Sequence, residues 1–270
     1  MRYIPKKAPD DVNVSKEHPL VEASTLIVGL SLIFLAIALV LVLMVDIVLL
    51  FVSPEREAEM FSNWRPDDFV ASETEDPRLD ALRELTARLA AHWEDSPYEF
   101  RIEVSDDSNL NAVALPGGLI VVTSGLLNTV ESENELAFVI GHEIGHFRNR
   151  DHIRGLGRGV VLSILIAAIS GADGSADLGP MLGDLALRSF SRGQESEADE
   201  FALEIVHKEY GHLDEAWRFF ERIDSDNEFV YLLTAYVSTH PAPDDRIDRL
   251  RDLARARVWS VEGETTPLAW

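Results

Sequence analysis

His142-Glu143-Ile144-Gly145-His146 combines two imidazoles and a carboxylate at a spacing suited to metal chemistry. Histidines four positions apart on a helix stack on one face, about one turn from each other. Both can then bind a single ion, and neutral imidazole suits Zn²⁺. Glu143 follows the first histidine, where its carboxylate can take a proton from water activated by that metal. The same residue types also fall together by chance on ordinary surface helices, so the surroundings decide. Ser132 and Glu135 have the form of a capping box. Leu136, Val139, Ile140, Ile144 and Phe147 then recur at helical spacing, which predicts a helix buried along one side. The charged run from Arg148 to Asp151 reads as its exit to the surface.

Two histidines leave a hydrolytic site incomplete, because a catalytic zinc takes three protein ligands and keeps one position open. The chain has no cysteine, so disulfides and thiolate ligands are excluded and any zinc must be held by histidine and carboxylate. Glu195 and Asp199 are four apart and share a helix face, whereas Glu197 points to the opposite side. Glu195 can bind the metal while Asp199 accepts the N–H of a liganding histidine and fixes its tautomer. Small Ala198 would let this helix approach the metal helix closely. Taken alone, such an acidic helix stretch is usually a solvated face.

The elements that must carry these groups follow in order. From Leu26 to Val45 there are twenty residues without a charge; at about 1.5 Å per residue they span about 30 Å, the thickness of the hydrocarbon layer. Arg2, Lys6, Lys7 and Lys16 precede this run, and Glu55, Glu57 and Glu59 follow it, which places the N-terminus in the cytoplasm and the remainder outside. The run is too long for a cleaved signal peptide and reads as a signal anchor, with Asp46 at the far interface. Residues 53–76, with Pro54, Pro66 and Pro77, read as a polar linker. Asp76-Pro77 then opens an amphipathic helix carrying Leu79, Leu82, Leu85, Leu89 and Trp93. Alternation at Tyr98, Phe100, Ile102 and Val104 predicts a strand; Asn111 to Leu115 and Leu119 to Thr123 predict two more around a Pro116-Gly117-Gly118 turn. A hairpin directly before the metal helix suggests a sheet edge facing a cleft, able to pair with an extended peptide. Gly159 to Ile169 is apolar but too short to span a bilayer, and reads as a core helix or a segment dipping into the membrane surface. Gly171 to Gly179 reads as a mobile loop, and Pro180 opens a long helix. The formal net charge of −23 argues against nucleic acid as a partner.

Four segments together carry a resemblance: Asn111 to Leu127 (NAVALPGGLIVVTSGLL), GHEIGH, SRGQESEAD and STHPAPDDRIDRL. Over residues 75 to 255 the chain resembles the Ste24/HtpX-type zinc metallopeptidases, in particular their single-anchor branch of mitochondrial quality-control and bacterial periplasmic enzymes. The resemblance implies an α+β, mainly α, zincin-like (gluzincin) domain with a small β-sheet, preceded by one transmembrane helix. It implies one zinc per chain held by His142, His146 and Glu195, with Glu143 as base and Asp199 supporting a ligand. Asn111, Ala112, Val113 and Ala114 are similar to the family's substrate-groove strand, although Val113 stands where many relatives carry an aromatic. The His-Pro…Arg-Ile pattern implies that His240 lies at the cleft, stabilising the oxyanion or occupying the open zinc position at rest. Arg246 would then pair with an acid such as Asp199. The chain thus divides into a cytoplasmic tail (1–24), a transmembrane anchor (25–52), a linker (53–76), a zinc metallopeptidase domain (77–258) and a C-terminal tail (259–270). The expected function is a membrane-anchored zinc endopeptidase in the inner membrane, with an extracytoplasmic domain acting on misfolded or unassembled membrane and envelope proteins. A chaperone-like scaffold on the same fold and a zinc amidase acting on cell-wall peptides are the alternatives.

Overall fold

A computed structural model describes residues 18–64, 76–170, 190–225, 234–240 and 245–270. Helix α1 (Pro19–Phe51) contains the charge-free run and is long and apolar enough to cross a membrane. Only two residues separate it from α2 (Pro54–Phe61), which Ser53 caps by accepting from the Arg56 N–H. The stretch expected to be a linker is therefore a helix over those residues, and its Glu57 is buried. The reason is a set of partners distant in sequence. The Tyr98 hydroxyl donates to one Glu57 oxygen at 2.8 Å, and His152 Nε2 meets the other at 2.7 Å. Burial opposes charge on Glu57, yet His152, Tyr98 and Arg150 together hold its carboxyl below the usual carboxylate range. Arg150 also donates to the Leu49 and Val52 carbonyls, satisfying acceptors that the end of α1 leaves open. The remaining linker residues, 65–75, lie outside the described residues.

Helix α3 (Leu79–Ala90) starts at Leu79 rather than at Pro77, because Asp76 caps the Arg78 N–H in a turn before it. Its leucine stripe is buried. Strands β1 (Arg101–Ser105), β2 (Ala112–Leu115) and β3 (Leu119–Thr123) form one sheet in the order β1-β3-β2, with β1 parallel and β2 antiparallel to the central strand. One sheet face packs on the main core through Ala112, Ala114, Ile120 and Val122. The other holds Val113, Leu115, Leu119 and Val121, with Trp64 against them.

After the short α4 (Ser124–Leu127) come α5 (Glu133–Arg148) and α6 (Asp151–Ser170), then α7 (Arg192–Tyr210), α8 (Arg218–Ser225), α9 (Thr234–Thr239) and α10 (Arg246–Arg257). The expected loop at Gly171–Gly179 and the helix opening at Pro180 lie outside the described residues. Helices α5 and α7 form the central pair. A Cβ added at Gly145 would lie 2.8 Å from the Ala198 Cα, so the two backbones approach as closely as they do only because one residue is Gly and the other Ala. Residues 259–270, expected as a tail, are tied down. The Glu133 N–H donates to the Thr266 carbonyl and the Leu213 N–H to that of Ser260, which satisfies a donor that the start of α5 leaves free.

Candidate metal centre

The helix that carries His142 and His146 is held at its start by Ser132, whose side chain accepts from the Glu135 N–H. Glu135 does not close the box on Ser132; its carboxylate instead accepts from the Glu131 N–H. The facing helix α7 starts with a complete capping box between Ser191 and Gln194. That start places Glu195 in the first turn of α7, where the positive end of the helix dipole favours an acid. The close crossing at Gly145 and Ala198 then brings Glu195 over the two histidines.

His142 Nε2 and His146 Nε2 are 3.1 Å apart, and each lies 3.4 Å from a Glu195 oxygen. His240, at the end of α9, puts Nδ1 3.2 Å from Glu195 and 3.3 Å from His142 Nε2. One donor atom from each of these four residues falls within 4.8 Å of the others, and all four residues are buried. Glu197 is exposed on the opposite side of α7.

The outer ring nitrogens of the two α5 histidines are committed elsewhere. His142 Nδ1 meets Asp199 at 2.9 Å, and His146 Nδ1 meets Asp151 at 3.1 Å. Each imidazole donates its N–H outward to a carboxylate, so its inner nitrogen presents a lone pair to the centre. Arg246 clamps Asp199 with bonds of 2.9 and 2.5 Å, and Arg249 adds a third at 3.0 Å. Gln194 donates to Asp151 at 2.5 Å.

Two converging lone pairs and a carboxylate, shut away from solvent, need a cation between them. Charge makes the same demand: among the described residues, Glu143, Glu195, Asp151 and Asp199 are buried around the centre against one buried guanidinium, Arg246. Burial would lower the His142 pKa, but Glu195 and Asp199 raise it to about 9, a measure of the surplus negative charge. Burial likewise opposes charge on Glu195, yet the imidazoles hold its carboxyl far below the ordinary value. The donor set, with nitrogen and carboxylate oxygen and no sulfur, fits Zn²⁺.

Glu143 stands beside this set. Both of its oxygens are buried with no side-chain hydrogen-bond partner among the described residues, and His240 Nε2 lies 3.6 Å from one of them. Burial pushes its pKa above the usual carboxylate value, against the pull of His240 and His142. The backbone N–H of Ala114 faces the same carboxylate. The side chains of Ala112 and Ala114 lie in the main core and that of Val113 on the other sheet face, so β2 can offer a substrate only its backbone edge. Asn111 has its side-chain oxygen against the Thr239 hydroxyl at 3.4 Å, linking β2 to the segment that carries His240.

Residues 74–254 match peptidase family M48. The chain belongs to that family. A putative beta-barrel assembly-enhancing protease of Vibrio cholerae is 31% identical over 193 residues, covering 67% of this chain and 40% of that protein. The mitochondrial metalloendopeptidase OMA1 of Danio rerio is 30% identical over 213 residues, covering 72% of this chain and 44% of its own. The Schizosaccharomyces pombe mitochondrial metalloendopeptidase OMA1 is 31% identical over 167 residues, covering 60% of this chain and 49% of its own. The chain thus spans about two fifths to one half of the length of these relatives. Zinc is the metal of M48 metallopeptidases, and the His142, His146, Glu195 and His240 cluster is compatible with it.

Sequence reasoning missed Asp151, which it read as part of the exit to the surface; it is buried and supports His146. A signal was available, because two liganding histidines each need an outer acceptor and only Asp199 had been found. Two rings were also missed. Phe190 stacks on His146 with centroids 3.9 Å apart, and Tyr236 stacks on His240 at 4.6 Å. Both are apolar or aromatic positions that look like ordinary core in the sequence.

Proposed function

We propose that this M48 chain hydrolyses peptide bonds as a zinc endopeptidase, with His142, His146 and Glu195 as ligands and Glu143 as general base. The carrying observation is the buried Glu143 carboxylate, with no side chain at hydrogen-bond distance among the described residues, beside a convergent His/Glu set. A scaffold has no use for such a group, since a buried carboxylate so weakly partnered costs stability. A zinc ion held by this set would supply Lewis-acid polarisation of the scissile carbonyl and would bring the pKa of water toward about 7. Glu143 takes the proton from the attacking water and delivers it to the leaving amine as the C–N bond breaks. Its raised pKa suits both halves of that transfer. The outer edge of β2 pairs with an extended substrate backbone, and the Ala114 N–H beside Glu143 marks where the scissile bond lies. Asp199 and Asp151 hold the histidines in the tautomer that faces the metal, and Arg246 fixes Asp199. The test is cleavage of a loosely folded polypeptide such as casein: activity should stop on chelation and return with added Zn²⁺. Cleavage that persists in chelator would overturn the metal reading, and no cleavage under any condition would favour a scaffold.

The Nδ1 of His240 lies within the ligand set, so at rest His240 would add a fourth protein donor where a substrate has to enter. Substrate must displace it, against its stacking on Tyr236. His240→Ala should keep zinc and raise kcat/KM several-fold on short peptides. A loss of about 10²-fold in kcat with zinc retained would instead make His240 the oxyanion donor.

The relatives' names and α1 support assignment to the single-anchor branch of the family, with misfolded or unassembled membrane and envelope proteins as substrates. The basic residues before α1 and the acidic ones after it support an inner-membrane protein with a cytoplasmic N-terminus. A C-terminal tag should then be digested by protease added to spheroplasts; complete protection there, with digestion after lysis, would reverse the orientation.

A further inference from the structure

We infer that α6 is embedded in one leaflet of the bilayer beside α1, so that the M48 domain is fixed to the membrane by two helices rather than one. The inference rests on the reading of α1 as a membrane span.

The register between the helices carries it. Arg150, just before α6, bonds the Leu49 and Val52 carbonyls at the end of α1. Seven residues further on, Gly157 abuts Val45 so closely that an added Cβ would sit 2.7 Å from its Cγ1. As the chain advances along α6 it therefore moves back down α1, and the two run antiparallel. An apolar cavity of about 390 Å³ lies in the seam, lined by Leu41, Val45 and Leu49 from α1 and by Ile153, Gly157 and Val161 from α6. On α1 the partly shielded residues Phe34, Ala38, Leu41, Val45 and Leu49 form one helical stripe, while most neighbouring positions are exposed. That stripe reaches well into the charge-free run.

The charges fall at matching levels. Asp46 is the first charge after the apolar run of α1, and Arg158 is the last charge of α6. They meet at 2.8 Å, and Arg154 reaches Asp46 at 3.0 Å. Both helices thus lose their charge on the same side of one ion-paired level. Beyond it, Gly159 to Ser170 contains no charged residue. At about 1.5 Å per residue this segment is about 18 Å long, against about 15 Å for half of the hydrocarbon layer. It is the length for one leaflet and too short to cross. A charge-free helix held alongside a spanning helix, beyond a shared interfacial ion pair, has lipid hydrocarbon as its surroundings. Asp151, the first residue of α6, is the acceptor for His146, so embedding α6 holds the metal centre at the membrane surface.

The chain contains no cysteine, so single spin labels can be placed cleanly. The full chain would be labelled at Val160→Cys or Val161→Cys on α6, Leu39→Cys on α1 or Glu59→Cys on α2, and reconstituted into phospholipid vesicles. Oxygen concentrates in lipid and a nickel chelate in water. Both α6 labels and the Leu39 label should collide more with oxygen than with nickel, and the Glu59 label the reverse. Nickel access at both α6 positions equal to that at Glu59, with Leu39 still in lipid, would place α6 in water and overturn the inference. Shielding of both α6 labels from both reagents would place them inside protein, and would overturn it as well. Nickel access at Leu39 would instead remove the span on which the inference rests.

Discussion

Glu143→Gln is expected to lower kcat for peptide hydrolysis by about 10²–10⁴-fold, the range for loss of a general base, while zinc stays bound. Glutamine has the shape of glutamate but cannot accept a proton at neutral pH. Among the described residues no side chain meets the wild-type carboxylate oxygens at hydrogen-bond distance, and the Ala114 N–H that faces them can face the glutamine oxygen equally, so the substitution removes a buried charge without losing a side-chain partner. Glu143 also lies outside the four-residue donor set, which is why metal content should not follow activity. Turnover on a quenched peptide, measured beside zinc stoichiometry, separates the two. Activity within tenfold of wild type would remove Glu143 from the mechanism, and loss of zinc with activity would make it a ligand.

Glu195→Ala should lose zinc and activity together, whereas Glu197→Ala should keep both. The Glu195 carboxylate sits 3.4 Å from each α5 imidazole and 3.2 Å from His240, and no other carboxylate among the described residues enters the set. Even residues that only support a ligand are worth about 10–100-fold in metal affinity, so removal of a ligand should exceed about 100-fold. It also leaves Arg246 Nη1, 3.6 Å from Glu195, facing a void. Glu197 is exposed on the far side of the same helix and carries the same charge, which makes it the matched control. Zinc measured after dialysis, with activity on the same samples, decides it. Metal retained in Glu195→Ala, or lost in Glu197→Ala, would overturn the ligand assignment.

What sequence alone determined is what local physics imposes. The Ser132 cap and the apolar spacing after it defined α5, because capping and burial of one face act within a few residues. The β2–β3 hairpin followed from two short apolar runs on either side of the Pro116-Gly117-Gly118 turn. The face shared by Glu195 and Asp199 followed from helix geometry, and the absence of cysteine left histidine and carboxylate as the ligand types. Family resemblance added His240 and Arg246, whose positions no local rule supplies.

Tertiary structure alone decided which charged residues are surface and which are machinery. Asp151 and Glu57 look like solvated acids in the sequence, and both are buried. Glu57 gains its main partner 95 residues away in His152, and Asp151 is enclosed by Gln194, 43 residues away. Periodicity carries no information across such separations, because the charged form survives burial only where distant elements converge to neutralise it. The course of α6 shows the same limit. Its composition left open a core helix or a membrane-facing one; its antiparallel alignment with α1 and the Asp46 to Arg158 pair exist only once the chain has folded back on its anchor.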